Sequence, residues 1–186
     1  MIDFYMIAGL GIFIVALAFF SVTVSGRGID MIANPTINRY VFYSAKLSAL
    51  ITCAFIPVAG LYPQIRWWQT PAYLNGVALL LCVAGVGVAT MAMKQLGDDL
   101  VAGLPDNGIH QLQTEGVYRI SRNPLYLGVF LLMIASLIYA QHPLNILSGL
   151  TAIGIHHMIV LREEKYLIRH YGETYMNYLK RIRRYL

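Results

Sequence analysis

Five apolar stretches limit what this chain can fold into more than any other feature of its sequence. The windows run roughly over residues 4–24, 41–61, 72–93, 125–140 and 144–161. A helix needs about 20 residues to cross a hydrocarbon layer about 30 Å thick, and only the fourth window is clearly short of that length. Because a backbone in lipid must satisfy its own hydrogen bonds, such windows form helices. The sequence therefore predicts an all-α integral membrane protein with about five transmembrane helices.

The composition indicates a single membrane domain over residues 1–186. Of the 186 residues, 58% are hydrophobic and 12% are charged, and no internal repeat, low-complexity tract or soluble linker interrupts them. We expect membrane lipid around this domain, and we do not expect nucleic acid as a partner.

Basic residues near the window ends predict the orientation, because Lys and Arg are retained on the cytoplasmic side. An external N-terminus and a cytoplasmic C-terminus leave only Arg66 outside. Lys46 lies near the inner end of the second window, where its long stem could carry the ammonium to the headgroups. The segments predicted inside contain Arg27, Arg39, Lys94, Arg119, Arg122, Arg162 and the basic tail.

A helix start signal precedes the fourth window. Asn123 is suited to the N-cap and Pro124 to the first helical position, with Arg122 directly before them. The free N–H groups and the positive dipole end of such a helix favour a carboxylate or a phosphate. The sequence therefore predicts an anion site at this helix start.

An acidic pair follows the fifth window on the same predicted side. Only residues 141–143 separate the fourth and fifth windows, so these two helices form a hairpin that brings Glu163 and Glu164 near the helix start. We expect Glu164 at an aqueous rim. Positive and negative groups should converge here on a cytosolic pocket.

Such a pocket could hold a zwitterion. Its carboxylate would lie at Asn123, and its ammonium or sulfonium would lie near the glutamates and the rings of Tyr118 or Tyr126. The structural alternative is an ion pair between Arg122 and Glu163 that pins the hairpin.

The segment after Gly172 is predicted to form an amphipathic helix on the inner leaflet, attracted to anionic lipid. The alternative is a basic tail that only fixes orientation. The apolar face comprises Tyr175, Tyr178, Leu179, Ile182, Tyr185 and Leu186, and the polar side carries Lys180, Arg181, Arg183 and Arg184.

Two further patterns concern packing. Gly85 and Gly87, with Ala84 and Ala89, predict a smooth face on the third window for close helix contact. His156 and His157 diverge by about 100° on a helix, so we expect no metal site and assign one to packing and the other to tuning the site.

Several blocks in order carry a family resemblance over roughly residues 94–184. They are residues 110–119 (HQLQTEGVYR), 122–128 (RNPLYLG), the Glu163–Glu164 pair and residues 171–175 (YGETY). Together they resemble the C-terminal half of the isoprenylcysteine carboxyl methyltransferase and phospholipid methyltransferase superfamily. The resemblance implies an integral-membrane enzyme that binds S-adenosylmethionine and methylates a lipophilic or membrane-embedded acceptor.

The resemblance also implies roles for individual residues. Arg122, Glu163 and Glu164 are expected to be catalytic. Asn123 stands where isoprenylcysteine enzymes typically carry His and is similar to phospholipid N-methyltransferases. The acceptor is a lipophilic small molecule or a lipidated substrate, and it stays open between an isoprenylcysteine-type carboxylate, a phospholipid amine, another isoprenoid and a small thiol. The expected cofactor-binding residues are His110, Leu112, Gly116, Tyr118, Asn123, Pro124, Tyr126, Glu163 and Glu164.

Two other classes of function remain open from the sequence. Membrane sterol and steroid reductases are similar in their C-terminal part, so an NADPH-dependent reductase is one alternative. A non-enzymatic membrane module is the other.

Overall fold

A computed structural model describes residues 37–97 and 112–186. The first predicted window, residues 4–24, and His110 lie outside these ranges. Within them the chain forms α-helices and two short 3₁₀ helices, and no strand. The α-helices are α1 (Arg39–Leu61), α2 (Ala72–Leu96), α3 (Pro124–Tyr139), α4 (Pro143–Tyr171) and α5 (Glu173–Arg181), and the 3₁₀ helices are Pro63–Ile65 and Gly116–Arg119.

The described helices confirm the predicted all-α integral membrane fold. Helices α1, α2 and α4 are long and apolar enough to cross a membrane, and α3 is an apolar helix of 16 residues. Helix α4 continues to Tyr171, well beyond the predicted window end at residue 161. The acidic pair is therefore part of a continuous helix rather than of a segment that follows one.

One end of the bundle, called the site end below, collects the start of α1, the end of α2, the start of α3 and the end of α4. The side-chain oxygen of Gln95 near the end of α2 accepts a hydrogen bond from the Val117 N–H at 3.1 Å. At the opposite end, the Trp67 N–H donates to the Gln141 carbonyl at 3.0 Å and ties the α1–α2 connection to the α3–α4 turn.

Helices α2 and α3 approach each other backbone to backbone. A Cβ added to Gly85 would lie 2.8 Å from the Gly128 carbonyl oxygen, and one added to Gly128 would lie 2.7 Å from the Ala89 nitrogen. The predicted close-contact face is thus confirmed for Gly85 and Ala89 but wrong for its other members. A Cβ on Gly87 would meet nothing within 4 Å, and Ala84 is exposed.

A buried polar network joins α1, α3 and α4. The Thr52 and Ser148 hydroxyls lie 2.9 Å apart, and the Ser136 hydroxyl donates to the Thr52 carbonyl at 2.6 Å. The Asn145 amide donates to the Ala140 carbonyl at 2.7 Å. Such bonds between helices help to fix which helices are neighbours in an apolar bundle.

The C-terminal segment differs from its prediction. Helix α5 ends at Arg181, and Ile182 has an extended backbone (φ −118°, ψ 136°), so the predicted amphipathic helix stops short. Tyr175 and Tyr178 are buried within the protein, and the Tyr185 ring packs edge-on against Phe130 at 5.2 Å. The three tyrosines of the face that was predicted to rest on lipid therefore pack on the bundle, whereas Leu186 is exposed.

Candidate active site

The α3 helix start lies at the centre of the site end. Asn123 occupies the N-cap position, as predicted, but its side chain makes no capping hydrogen bond. Its amide nitrogen instead donates to Oε1 of Glu164 at 3.1 Å and to the Arg184 carbonyl at 3.4 Å. The anion that Asn123 binds in this structure is thus the chain's own carboxylate.

Glu164 forms the centre of a buried charge cluster. Its Oε1 accepts from Arg122 Nε at 3.1 Å and lies 3.0 Å from the second nitrogen of that guanidinium. Its Oε2 accepts from Arg184 Nε at 2.9 Å, with another guanidinium nitrogen at 2.8 Å. Glu164 is 4% exposed, so its expected position at an aqueous rim is wrong. Arg122 pairs with Glu164 and not with Glu163, which corrects the alternative pairing.

The residues after α5 run across this cluster and are called the tail below (residues 182–186). Arg122 donates from its guanidinium to the Ile182 carbonyl at 2.8 Å and from its backbone nitrogen to the Arg183 carbonyl at 3.0 Å. The Ser121 hydroxyl donates to the Arg184 carbonyl at 3.0 Å. The hydrogen bond to Glu164 raises the pKa of Arg184 above its ordinary value. The tail is therefore fastened by both backbone and side chain.

Glu163 faces a different side of α4, because consecutive helical residues diverge by about 100°. Tyr126 donates from its hydroxyl to Oε1 of Glu163 at 2.8 Å. Among the described residues, Oε2 of Glu163 has no hydrogen-bond partner. His156 packs its ring 6.1 Å from that of Tyr126 and lies 2.7 Å from the Ala152 carbonyl through Nδ1. His156 is thus the packing histidine.

His157 on α4 contacts the tail. Its Nδ1 lies 2.9 Å from the Tyr185 hydroxyl, and the two rings lie 5.9 Å apart. Burial raises the pKa of Tyr185 to about 12, so the hydroxyl stays protonated at neutral pH. Arg184 therefore brings the tail to Glu164, and Tyr185 brings it to the preceding turns of α4. The sequence pattern missed these contacts because it assigned the tail to a lipid-facing helix.

A cavity of about 510 Å³ opens beside these clusters, between the segment before α3 and helix α5. One wall is tied to α5 because the Tyr178 hydroxyl donates to the Tyr118 carbonyl at 2.6 Å. Burial raises the pKa of Tyr178 to about 12 and keeps this donor protonated. The lining residues are Thr114, Glu115, Arg119, Thr174, Asn177, Tyr178, Arg181 and Ile182.

The predicted site residues within the described ranges fall into three groups. Arg122, Asn123 and Glu164 share the buried charge cluster. Tyr126 and Glu163 form the hydrogen-bonded pair, and Pro124 is buried at the first position of α3. Leu112, Gly116 and Tyr118 belong to the segment that contributes one cavity wall, although their side chains are not among its lining.

The backbone conformation at Gly116 and its neighbour Gln95 both favour glycine at this position. Its φ is +58°, and an added Cβ would collide with the Gln95 side-chain amide. We expect Gly116→Ala to lower the free energy of unfolding by about 2–3 kcal/mol, since backbone strain adds to the loss of the Gln95–Val117 hydrogen bond when the exposed Gln95 side chain moves aside. Thermal and chemical unfolding in mild detergent measure this loss.

Gly97→Ala shows the cost of strain without a clash. Gly97 also has a positive φ, +53°, with ψ −119°, and a Cβ there would meet nothing within 4 Å, so this variant should lose about 1–3 kcal/mol. Gly116→Ala in a Gln95→Ala background is the matched control, because the clash is then absent. An unchanged loss in that background would show that Gln95 does not constrain Gly116.

Comparison with known proteins supplies independent information on this region. A family model described as phospholipid methyltransferase matches residues 74–174. The chain is similar to a protein-S-isoprenylcysteine O-methyltransferase of Dictyostelium discoideum, with 26% identity over 125 residues, which cover 63% of this chain and 53% of that protein. The enzyme of that name from Rattus norvegicus is 30% identical over 122 residues, covering 64% and 41% of the two chains. The match thus spans about half, or less, of the length of these relatives.

Proposed function

The chain belongs to the phospholipid methyltransferase family, and from this premise we propose that it is an integral-membrane methyltransferase that uses S-adenosylmethionine. Its acceptor would be lipophilic or embedded in the membrane. The observation that carries the proposal is the position of both acidic residues. The family match includes the α3 start and the Glu163–Glu164 pair, and these meet at one end of the bundle.

The residues at the site end fit such a methyl donor. A volume of about 510 Å³ suits a nucleoside-sized ligand, since ligand pockets usually measure about 300–1,000 Å³. Thr114 and Asn177 offer hydroxyl and amide groups to a base, and Glu115 and Arg119, which pair with each other at the surface, would exchange that ion pair for the charges of a zwitterion. When bound, S-adenosylmethionine would supply a methyl group already activated by its sulfonium.

We assign different tasks to the two glutamates. Both oxygens of Glu164 are occupied by Arg122, Asn123 and Arg184, so this residue would position the α3 start and the tail. Oε2 of Glu163 has no partner among the described residues, so it would face positive charge in the donor or the acceptor. Arg122 is likewise a positioning residue in this proposal, because its guanidinium binds Glu164 and tail carbonyls.

The chemical demand on these residues depends on the acceptor. A carboxylate acceptor needs no general base, whereas an amine must lose a proton, and Glu163 is then the candidate base. Tyr126 would orient the Glu163 carboxylate through its hydroxyl. The main contribution of the site would be to align donor and acceptor and to exclude water.

We further propose that the site end faces the cytoplasm, with the N-terminus outside. Arg39, Lys94, Arg119 and Arg181 belong to this end of the bundle, which is the side where Lys and Arg are retained. In a variant without Cys53 and Cys82, the thiol of Glu173→Cys should react with a membrane-impermeant reagent only after the cells are permeabilised.

The direct test is ligand stabilisation of the purified protein. A compound that binds only the folded state raises its melting temperature. S-adenosylmethionine should do so, and NADPH should not. Stabilisation by NADPH would favour a reductase, and stabilisation by neither would favour a non-enzymatic module. Incubation with labelled donor and native lipid extract then identifies the acceptor.

Glu163→Gln tests the assigned role of this carboxylate. The substitution keeps the shape and removes the charge, so we expect donor affinity to fall about tenfold or more, as for the loss of a charged hydrogen bond. Glu173→Gln is the control, because it removes one carboxylate from the exposed surface of α5. Equal donor affinities in both variants and the parent would remove Glu163 from the site.

A further inference from the structure

We propose that Lys46 on α1 binds an anionic group of the methyl acceptor, where α1 packs against Tyr126 of α3. This inference rests on the proposed function and adds to it a recognition residue and a charge for the acceptor. Lys46 lies outside the segment matched by the family model, residues 74–174.

The Lys46 ammonium is directed toward the bundle. It lies 5.1 Å from the centre of the Phe42 ring and 5.8 Å from the centre of the Tyr126 ring. The sequence alone predicted that this side chain would reach the headgroups, and the structure directs the ammonium toward Phe42, on the side of the α1 start. Lys46 is seven positions after Arg39, about 10 Å along α1 at 1.5 Å per residue. The backbone of Lys46 therefore lies about two helical turns from the start of α1, and its ammonium extends back from there.

The ammonium has unused binding capacity. A lysine has three N–H donors, yet no described residue accepts a hydrogen bond from Lys46 or forms an ion pair with it. Glu163 attracts it only from a longer distance. Aromatic rings hold the cation in place, but they do not satisfy its donors. A charged group within a membrane-spanning helix usually marks a functional position, and α1 is apolar and long enough to be one.

The surroundings fit the head of a lipophilic anion. Tyr126 contacts Lys46 with its ring and Glu163 with its hydroxyl, so the ammonium and the open carboxylate oxygen border the same side chain. On the neighbouring surface of α1, Tyr43, Leu47 and Leu50 are exposed and apolar. A hydrocarbon chain could lie along this surface while its acidic head reaches Lys46. At the ammonium itself an anionic head is attracted and a cationic amine head is repelled, while the Glu163 carboxylate, which Tyr126 contacts through its hydroxyl, would face the positive charge of the donor.

The test is equilibrium binding of radiolabelled N-acetyl-S-farnesylcysteine, a lipophilic carboxylate, to purified full-length protein in mild detergent without donor. Its uncharged carboxamide is the matched ligand. We expect the acid to bind more tightly than the amide. Lys46→Met should weaken acid binding about tenfold to a hundredfold and leave amide binding unchanged, and Lys46→Arg should retain most of the affinity. Lys180→Met, on the exposed side of α5, should change neither.

Three results would overturn the inference. They are equal binding of acid and amide by the parent protein, loss of both ligands together in Lys46→Met, and unchanged acid binding in that variant. A fourth result would also overturn it: if phosphatidylglycerol displaces the labelled acid from the parent protein at a concentration below the acid's own dissociation constant, the site prefers a lipid phosphate to an acceptor carboxylate, and the acceptor assignment fails. Because no donor is present, failure here is separate from failure of the donor titration that tests the proposed function.

Discussion

Glu164→Gln should lower the free energy of unfolding by about 3–5 kcal/mol, the typical loss when one partner of a buried ion pair is removed. The amide would keep the shape of the side chain but leave the guanidinium groups of Arg122 and Arg184 without their carboxylate. Arg122 is only 10% exposed at its side chain, so water cannot replace the lost partner. Chemical denaturation in mild detergent, compared with the parent protein, measures the loss.

The adjacent glutamate provides the control for this experiment. Glu163 accepts one hydrogen bond from Tyr126 and pairs with neither guanidinium, so Glu163→Gln should change the free energy of unfolding by about 1 kcal/mol or less. Glu164→Gln should thus mainly lower stability, whereas Glu163→Gln should mainly lower donor affinity. The assignment fails if Glu163→Gln is the less stable of the two.

The tail gives a second readout of Glu164→Gln. Arg184 is held by Glu164 through its guanidinium and by Ser121 through its carbonyl. Removal of the carboxylate should release the last residues at temperatures where the bundle is still folded. Carboxypeptidase should then shorten the variant faster than the parent. Equal digestion rates would mean that the backbone hydrogen bonds alone hold the tail.

The positions of the helices, and the convergence of the α3 start with the acidic pair of α4, could be predicted from the sequence because both depend on local information. Apolar windows and the Asn123–Pro124 start signal act within one segment, and the short α3–α4 connection leaves a hairpin as the only arrangement. The convergence of the α3 start with Glu164 follows from these facts and is observed. The windows also gave α1, α2 and α3 to within a few residues.

The division of labour between Glu163 and Glu164 could not be predicted in this way. Both residues have the same chemistry, and only the rotation of α4 against α3 decides which one meets Arg122. The same rotation determines that Tyr126 reaches Glu163. Helical rotation is set by packing of the whole bundle, and a single-sequence pattern does not contain it.

The tail illustrates a different limit. Its residues have a helical period, yet the carbonyls of Ile182 and Arg183 accept hydrogen bonds from Arg122, which requires an extended chain. Tertiary hydrogen bonds thus override a local preference that is weak at a chain terminus. The sequence did contain one signal for this contact. Because a buried carboxylate is almost always paired, the basic residues that follow Glu164 along the chain, Arg184 among them, are candidate partners for that carboxylate.

Gly128→Leu should be the most disruptive substitution within the bundle. The Gly128 position faces Ala89 and Gly85 across the α2–α3 contact, where even a Cβ would lie 2.7 Å from backbone atoms. Backbone atoms cannot move aside as a side chain can, so the helices must separate, and we expect a loss of about 3 kcal/mol or more. Thermal unfolding in mild detergent measures it.

Gly87→Leu is the matched control, because a Cβ at Gly87 would meet nothing within 4 Å. The same leucine there should be neutral or slightly stabilising, since leucine favours a helix over glycine by roughly 1 kcal/mol. Separation of α3 from α2 would also shift Asn123 and Tyr126, so Gly128→Leu should reduce donor affinity even in the fraction that remains folded. Similar stability in the two leucine variants would contradict the backbone-to-backbone contact between α2 and α3. It would also remove the explanation for the position of the α3 start beside Glu163 and Glu164.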